Sequence, residues 1–256
     1  MIPKCKYCGK EYKLNTWDML EALPKLLREK LKYIPDCDCF EKLQEEEMAR
    51  LERERVRDCA RNKVKKFWDI SIIDKKFRLS TFENADLSQK HMRIAKKFAE
   101  KFVSTGTAPL GIMFFGEVGT GKTYASNCIA NHLMKNGKTV FVISLSKYMN
   151  KLQREWAEAE KDVLRYVEEC ELLIIDDFGV EKASEFVLEK TFALIDTRYR
   201  TKKPMIITTN LDITKINNKF GERIADRLRE MCYFLQVTGK SRRGADTEKI
   251  FHNFIR

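Results

Sequence analysis

Five short apolar runs punctuate the chain, at 110–115, 139–143, 171–176, 204–209 and 233–237, and the segments between them repeat apolar residues at helical spacing. Strand-length apolar runs separated by helices are the mark of strands buried on both faces of a parallel sheet. The pattern predicts an α/β, three-layer architecture with a central, mainly parallel sheet. Upstream, Met92, Ala95, Phe98, Ala99 and Phe102 trace one face of a helix, with N-cap chemistry at Asp86–Ser88 and an end at Gly106. Residues 41–67 contain neither Gly nor Pro; acidic residues dominate the first half and basic residues the second. That predicts a charged linker helix whose charges complement its dipole, with a partner-binding arm as the alternative. Before it, 17–32 carry an apolar helical stripe broken at Pro24, assigned to internal packing ahead of partner contact.

Three segments are therefore expected: a small module over 1–40, the charged helix over 41–67, and the α/β domain over 68–256. The small module is too short to stabilise itself by a hydrophobic core. It holds Cys5-Lys6-Tyr7-Cys8-Gly9 and Cys37-Asp38-Cys39. Four thiolates make a closed tetrahedral set suited to a structural Zn²⁺, with unmetallated thiols or a redox pair as the alternative. The remaining four cysteines scatter through the chain and read as packing residues. The opening residues show no apolar leader, and no apolar run reaches the roughly 18 residues of a membrane span. A cytoplasmic protein with no membrane attachment is expected, in a compartment where thiols stay reduced. Its net charge of +11 favours a polyanionic partner, nucleic acid first, over a basic surface that is merely solvated.

The chemistry centres on Gly116-Glu117-Val118-Gly119-Thr120-Gly121-Lys122-Thr123, a G-x-x-x-x-G-K-T loop between a predicted strand and a predicted helix. Glycines let backbone N–H groups turn toward phosphate oxygens, and the helix N-terminus adds its positive dipole end. Lys122 reaches the β- and γ-phosphates and Thr123 offers its hydroxyl to Mg²⁺; Tyr124 is grouped with these nucleotide-binding residues. Leu172-Leu173-Ile174-Ile175 ends in Asp176 and Asp177. A buried strand delivers such acids at its carboxyl edge, Asp176 for Mg²⁺ and Asp177 as the base that orients the attacking water. Asn210, at the tip of the next strand, is placed to hydrogen-bond that water or the γ-phosphate. Arg223 and Arg227 are four residues apart on one helix face, within reach of a neighbour's γ-phosphate, and Ser241-Arg242-Arg243 follows as a place for a second arginine to sense the nucleotide in cis; a solvated basic face is the alternative for both pairs.

Taken in order, the P-loop, I-I-D-D-F-G, T-T-N, E-R-I-A-D-R-L and S-x-R motifs, with the lead-in Ser80-Thr81-Phe82-Glu83-Asn84, resemble the DnaC/DnaI-like bacterial replicative helicase loaders. These are AAA+ ATPases related to the initiator DnaA and the transposition helper IstB. The resemblance spans about 70–245 and implies hydrolysis of ATP to ADP and phosphate. It implies self-association through ATP-bridged interfaces, with Arg227 as the trans arginine, Arg223 as runner-up and Arg243 as the cis sensor. The stretch 144–170 corresponds to the family's extra initiator helix. The N-terminal module would bind a DnaB-family helicase hexamer and, as in DnaI-type members, carry zinc. Single-stranded DNA contacts would fall near Ser184, Phe186 and Lys147. The expected function is ATP-dependent loading of the replicative helicase onto single-stranded DNA. An IstB-like transposition helper or a nucleotide-switched adaptor is the alternative.

Overall fold

All five apolar runs become strands of one parallel sheet. The computed structural model describes residues 2–71, 79–239, 241 and 247–255. The chain begins with β1 (Lys13–Leu14), a 3-10 helix (Asp18–Ala22), α1 (Lys25–Leu31), β2 (Tyr33–Ile34) and α2 (Cys39–Ile70). It continues through α3 (Lys90–Thr105), β3 (Gly111–Phe115), α4 (Lys122–Lys135), β4 (Val140–Ser144) and α5 (Leu145–Glu169). Then follow β5 (Leu172–Phe178), α6 (Glu185–Arg200), β6 (Met205–Thr209), α7 (Ile213–Phe220), α8 (Glu222–Met231), β7 (Cys232–Gln236) and α9 (Thr247–Phe254). Two compact units emerge, Met1–Ala60 and Arg61–Arg256, with the division inside α2. Among the described residues no helix is long and apolar enough to cross a membrane.

In the first unit β1 and β2 pair antiparallel, Lys13 opposite Ile34. Pro24 breaks the apolar stripe as its missing N–H requires, leaving the 3-10 turn before it and α1 after it. The stripe does not pack internally as expected: Trp17 (53%), Met19 (62%) and Leu26 (70%) are more than half exposed. Two strands of two residues and a two-turn helix supply no second layer to cover it.

In the second unit the strand order is β4-β5-β6-β3-β7, and every pairing is parallel. Strand alternation sends successive side chains to opposite faces. Met113, Ile143, Leu173, Ile175 and Ile207 pack with residues of α5, α6, α7 and α8; Ile112, Phe114, Val142, Ile174 and Ile206 pack with α3 and α4. These are the three predicted layers. The end of α2 joins the first of these clusters through buried Phe67, whose ring centroid lies 6.4 Å from Phe141 and 5.8 Å from Tyr166. Asp86 shapes a turn ahead of α3, accepting from the N–H and hydroxyl of Ser88, and the helix itself begins two residues later than that turn. From β3 the chain crosses through α4 to the far edge at β4 and then returns, so β3 is the topological switch point. Ligand crevices form beyond the carboxyl ends of strands at such a point.

Arg198 of α6 is fully buried. Its guanidinium donates to the carbonyls of Val167, Cys170, Glu171 and Pro204 at 2.7–3.1 Å. It thereby joins the end of α5 to the starts of β5 and β6. Arg198→Met leaves those buried acceptors without their donor and is expected to destabilise the protein by about 3–5 kcal/mol. Urea denaturation followed by far-UV circular dichroism measures this; a loss under 1 kcal/mol would show that water replaces the guanidinium.

Candidate functional site

The G-x-x-x-x-G-K-T loop occupies the switch point, between β3 and α4. Gly116, Gly119 and Gly121 have φ of 140°, 83° and 100°, values that disfavour other residues. At Gly116 a side chain would also strike the Val237 carbonyl, because Val237 N–H donates to Phe115 O at 2.8 Å. The loop is held from within. Lys122 is buried, its Nζ donating to the carbonyls of Gly116 (2.8 Å) and Glu117 (2.6 Å), and the Thr120 hydroxyl also donates to Glu117 O. Glu117 and Val118 lie exposed at the loop's tip. Tyr124 donates to Thr81 O at 3.2 Å and Asn131 to Ser80 O at 2.6 Å, which fastens the lead-in segment along α4. The earlier part of that lead-in, 72–78, lies outside the described residues.

The second half of the site comes from β5 and β6. Ile175 pairs with Ile207 and Phe178 with Thr209, so Asp176 and Asp177 together face the single residue Thr208. This is a β-bulge, and it breaks the alternation that would send two successive acids to opposite faces. Asp177 takes φ of 53°, a left-handed conformation that Asp tolerates better than most residues. Thr208 bonds to both acids: its hydroxyl donates to Asp176 Oδ1 at 2.5 Å and accepts from Asp177 N–H at 3.0 Å. Thr123 Oγ1 also donates to Asp176 Oδ1, at 2.8 Å, joining the P-loop helix to β5. Burial raises the Asp176 pKa, as does the Asp177 charge; the two threonine hydrogen bonds oppose the rise. A divalent cation at Thr123 and Asp176 would keep this carboxylate ionised. The sequence pattern singled out Asn210, which is exposed just past β6. It missed Thr208, whose only signal is a hydroxyl in an apolar strand beside the acidic one.

Two further residues lie against the loop. His91 Nε2 is 3.5 Å from where a Cβ on Gly121 would sit, and Ser241 packs directly on Gly119. Arg243 lies outside the described residues. Arg227, expected to face a neighbouring subunit, is engaged within its own chain. It pairs with Asp196 at 2.6 Å and lies over the rings of Phe192 (4.4 Å) and Tyr199 (5.2 Å). Packing of α8 on α6 brings these groups together, and the buried face of α8 carries Arg227 with it. Arg223, a turn earlier, is exposed. Of the DNA-facing expectations, Ser184 caps α6 by accepting from Val187 N–H, Phe186 is half-buried, and Lys147 is exposed.

In the first unit the sulfurs of Cys5, Cys8, Cys37 and Cys39 lie within 4.8 Å of one another. Four ligands at zinc–thiolate distance would be about 3.8 Å apart, so the cluster suits a tetrahedral ion with little adjustment. Gly9 closes the first turn at φ of 73°, donating to Cys5 O at 3.0 Å. Backbone N–H groups of Cys8 and Tyr7 lower the Cys5 pKa to about 6, whereas hydrogen bonds shared among the thiols push Cys39 up to about 12. Cys5 forms a thiolate readily while Cys37 and Cys39 resist, a situation that a bound cation relieves. The cluster is compatible with a zinc module.

The parallel sheet with the P-loop on its switch strand, and the acids of β5 across from it, define an AAA+ P-loop nucleotide-binding domain. Among solved structures, that of DnaI superposes with a TM-score of 0.58 at 23% identity, over 68% of this chain and 95% of that one. That of the DnaC helicase loader gives 0.56 at 22% identity, over 64% and 100%. The chain belongs to the family of IstB-like ATP binding proteins, whose profile matches residues 13–249. The replicative helicase loader DnaC of Escherichia coli is 26% identical over 222 residues, 84% of this chain and 90% of the relative. The loader of Buchnera aphidicola from Schizaphis graminum is 27% identical over 157 residues, 58% of this chain and 63% of the relative.

Proposed function

We propose that this protein loads a replicative helicase hexamer onto single-stranded DNA, using ATP binding for assembly and hydrolysis for release. The observation that carries the reading is the alignment with the Escherichia coli loader across 84% of the chain, more than the nucleotide domain alone. In the site, Gly116–Thr123 would hold the phosphates of ATP, and Thr123 with Asp176 would hold Mg²⁺. The bound ion would supply positive charge to the phosphates as the bond to the γ-phosphoryl group breaks. Asp177, fixed by the bulge and by Thr208, orients the attacking water and takes up its proton, with Asn210, at the tip of β6, as the residue that would help position it. Copies would associate through ATP-bridged interfaces. Because Arg227 is committed to Asp196, the exposure of Arg223 supports that residue for a role across the interface, with Arg243 as the sensor in cis. The cysteine module, holding Zn²⁺, would grip the helicase.

Capture of the replicative helicase of the same genome on immobilised protein tests this. Full-length chain should retain the hexamer, and a chain beginning at residue 61, which keeps Phe67 for the core, should not. The family's name favours one rival reading, a transposition helper. Capture of a transposase in place of the helicase would establish it and end the loader reading.

A further inference from the structure

The later turns of α2 gather basic charge and are exposed, although the helix as a whole, with nine basic and eight acidic residues, is nearly neutral. Between residues 50 and 66 of α2 there are eight basic side chains against three acidic ones, and from 51 to 63 every residue is exposed. At 3.6 residues per turn, Arg50, Arg53 and Arg57 fall within an arc of about 60°, so they form one row along the helix. The rise of 1.5 Å per residue separates Arg50 from Arg57 by about 10 Å, and Arg61 continues the same spacing. Neutralisation within the helix is incomplete. Arg50 pairs loosely with Glu47 at 3.8 Å and Arg55 with Glu52 at 3.7 Å. Arg53 and Arg57 form no ion pair among the described residues.

What such a row recognises follows from what it lacks. A protein partner lying along a helix needs apolar anchors at helical spacing. Of the apolar residues of this region, Met48 and Leu51 lie about 100° or more from all three arginines; Val56 lies about 100° from Arg57 but about 60° from Arg53, at the edge of the row. The arc spanned by the three arginines holds no apolar residue over those turns, so the row lacks apolar anchors at helical spacing. Guanidinium groups in a regular row match phosphate oxygens, which they bind with two parallel N–H donors. A single row follows one strand, whereas a duplex groove presents phosphates on two sides.

We infer that the Arg50–Arg53–Arg57 face of α2 binds the phosphate backbone of single-stranded DNA. Its residues are distinct from Ser184, Phe186 and Lys147, the positions of the nucleotide domain expected to meet DNA. The inference rests on the loader reading only in taking single-stranded DNA as the polyanion. A loader so equipped holds the strand on the segment between its cysteine module and its ATPase domain. Contact is to phosphate and therefore independent of base sequence.

The test is fluorescence anisotropy of a labelled 25-nucleotide oligothymidine against the full-length protein, without nucleotide, from 50 to 200 mM salt. Each phosphate contact on a single strand contributes about 0.7 to the slope of log K against log salt. The double variant Arg53→Ala/Arg57→Ala should therefore show a slope smaller by about 1.4, with weaker binding at the lowest salt. Arg53→Lys/Arg57→Lys keeps the charge and should keep the slope. ATP hydrolysis and helicase capture by the alanine variant should match wild type, which shows that the fold and the loader function are intact. An unchanged slope in the alanine variant overturns the inference, and so does preference for a duplex of equal length. Loss of helicase capture with an unchanged slope would assign the row to a protein partner instead. Failure of wild type to capture helicase, with the slope change present, would defeat the loader reading and leave this surface standing.

Discussion

Asp177→Asn lowers steady-state ATP hydrolysis by about 10²–10⁴-fold, the range of a lost general base, while ATP affinity stays within a few-fold of wild type. Asparagine suits the test because it also tolerates the left-handed φ of 53° found at this position. Alanine would confound the loss of a carboxylate with backbone strain. Binding measured with a fluorescent ATP analogue separates the two effects, and Lys122→Ala, which removes the ammonium proposed to meet the phosphates, supplies the non-binding reference. Retention of more than a tenth of the hydrolysis rate by Asp177→Asn would move the base elsewhere. Glu181 would be the next residue to test, since it lies near enough for the Asp177 charge to raise its pKa, beyond the rise from burial.

Removing metal from the cysteine cluster should have the second large effect. Apparent zinc binding free energies of about 10–16 kcal/mol are typical for small four-ligand modules, well above the stability of a unit this size without metal. The purified protein should carry one zinc per chain by elemental analysis. A strong chelator, or Cys37→Ser, should abolish the β1–β2 pairing seen by nuclear magnetic resonance and, with it, helicase capture. ATP binding should survive, because the P-loop and both acids belong to the other unit. Metal-free protein that keeps the pairing would mean that the four sulfurs, though within 4.8 Å of one another, serve no structural ion.

These two expectations were legible in the sequence to different depths. The P-loop is a local object: its residues are contiguous, and each glycine answers a conformational need of the loop itself. The acids of β5 were legible as the end of an apolar strand, but not the bulge that displays them. That bulge depends on Thr208, 31 residues beyond Asp177 in the chain. The apolar stripe of 17–32 was misread, because amphipathic periodicity records that a face is apolar and not whether anything covers it. Arg198 gave no sign of its role, since burial of a guanidinium is decided by which carbonyls converge on it.

The sequence by itself determined the strand positions, the three-layer class, the phosphate loop and the grouping of four cysteines. Each of these is encoded by short-range periodicity or by spacing along the backbone. Only the tertiary structure decided the order of the sheet, which brings Thr123 within 2.8 Å of Asp176 across 53 residues. It alone decided that Arg227 is held by Asp196 while Arg223 is exposed. The physical reason is that hydrogen bonds and ion pairs act over a few ångströms of space, and the packing of helices on the sheet sets those distances.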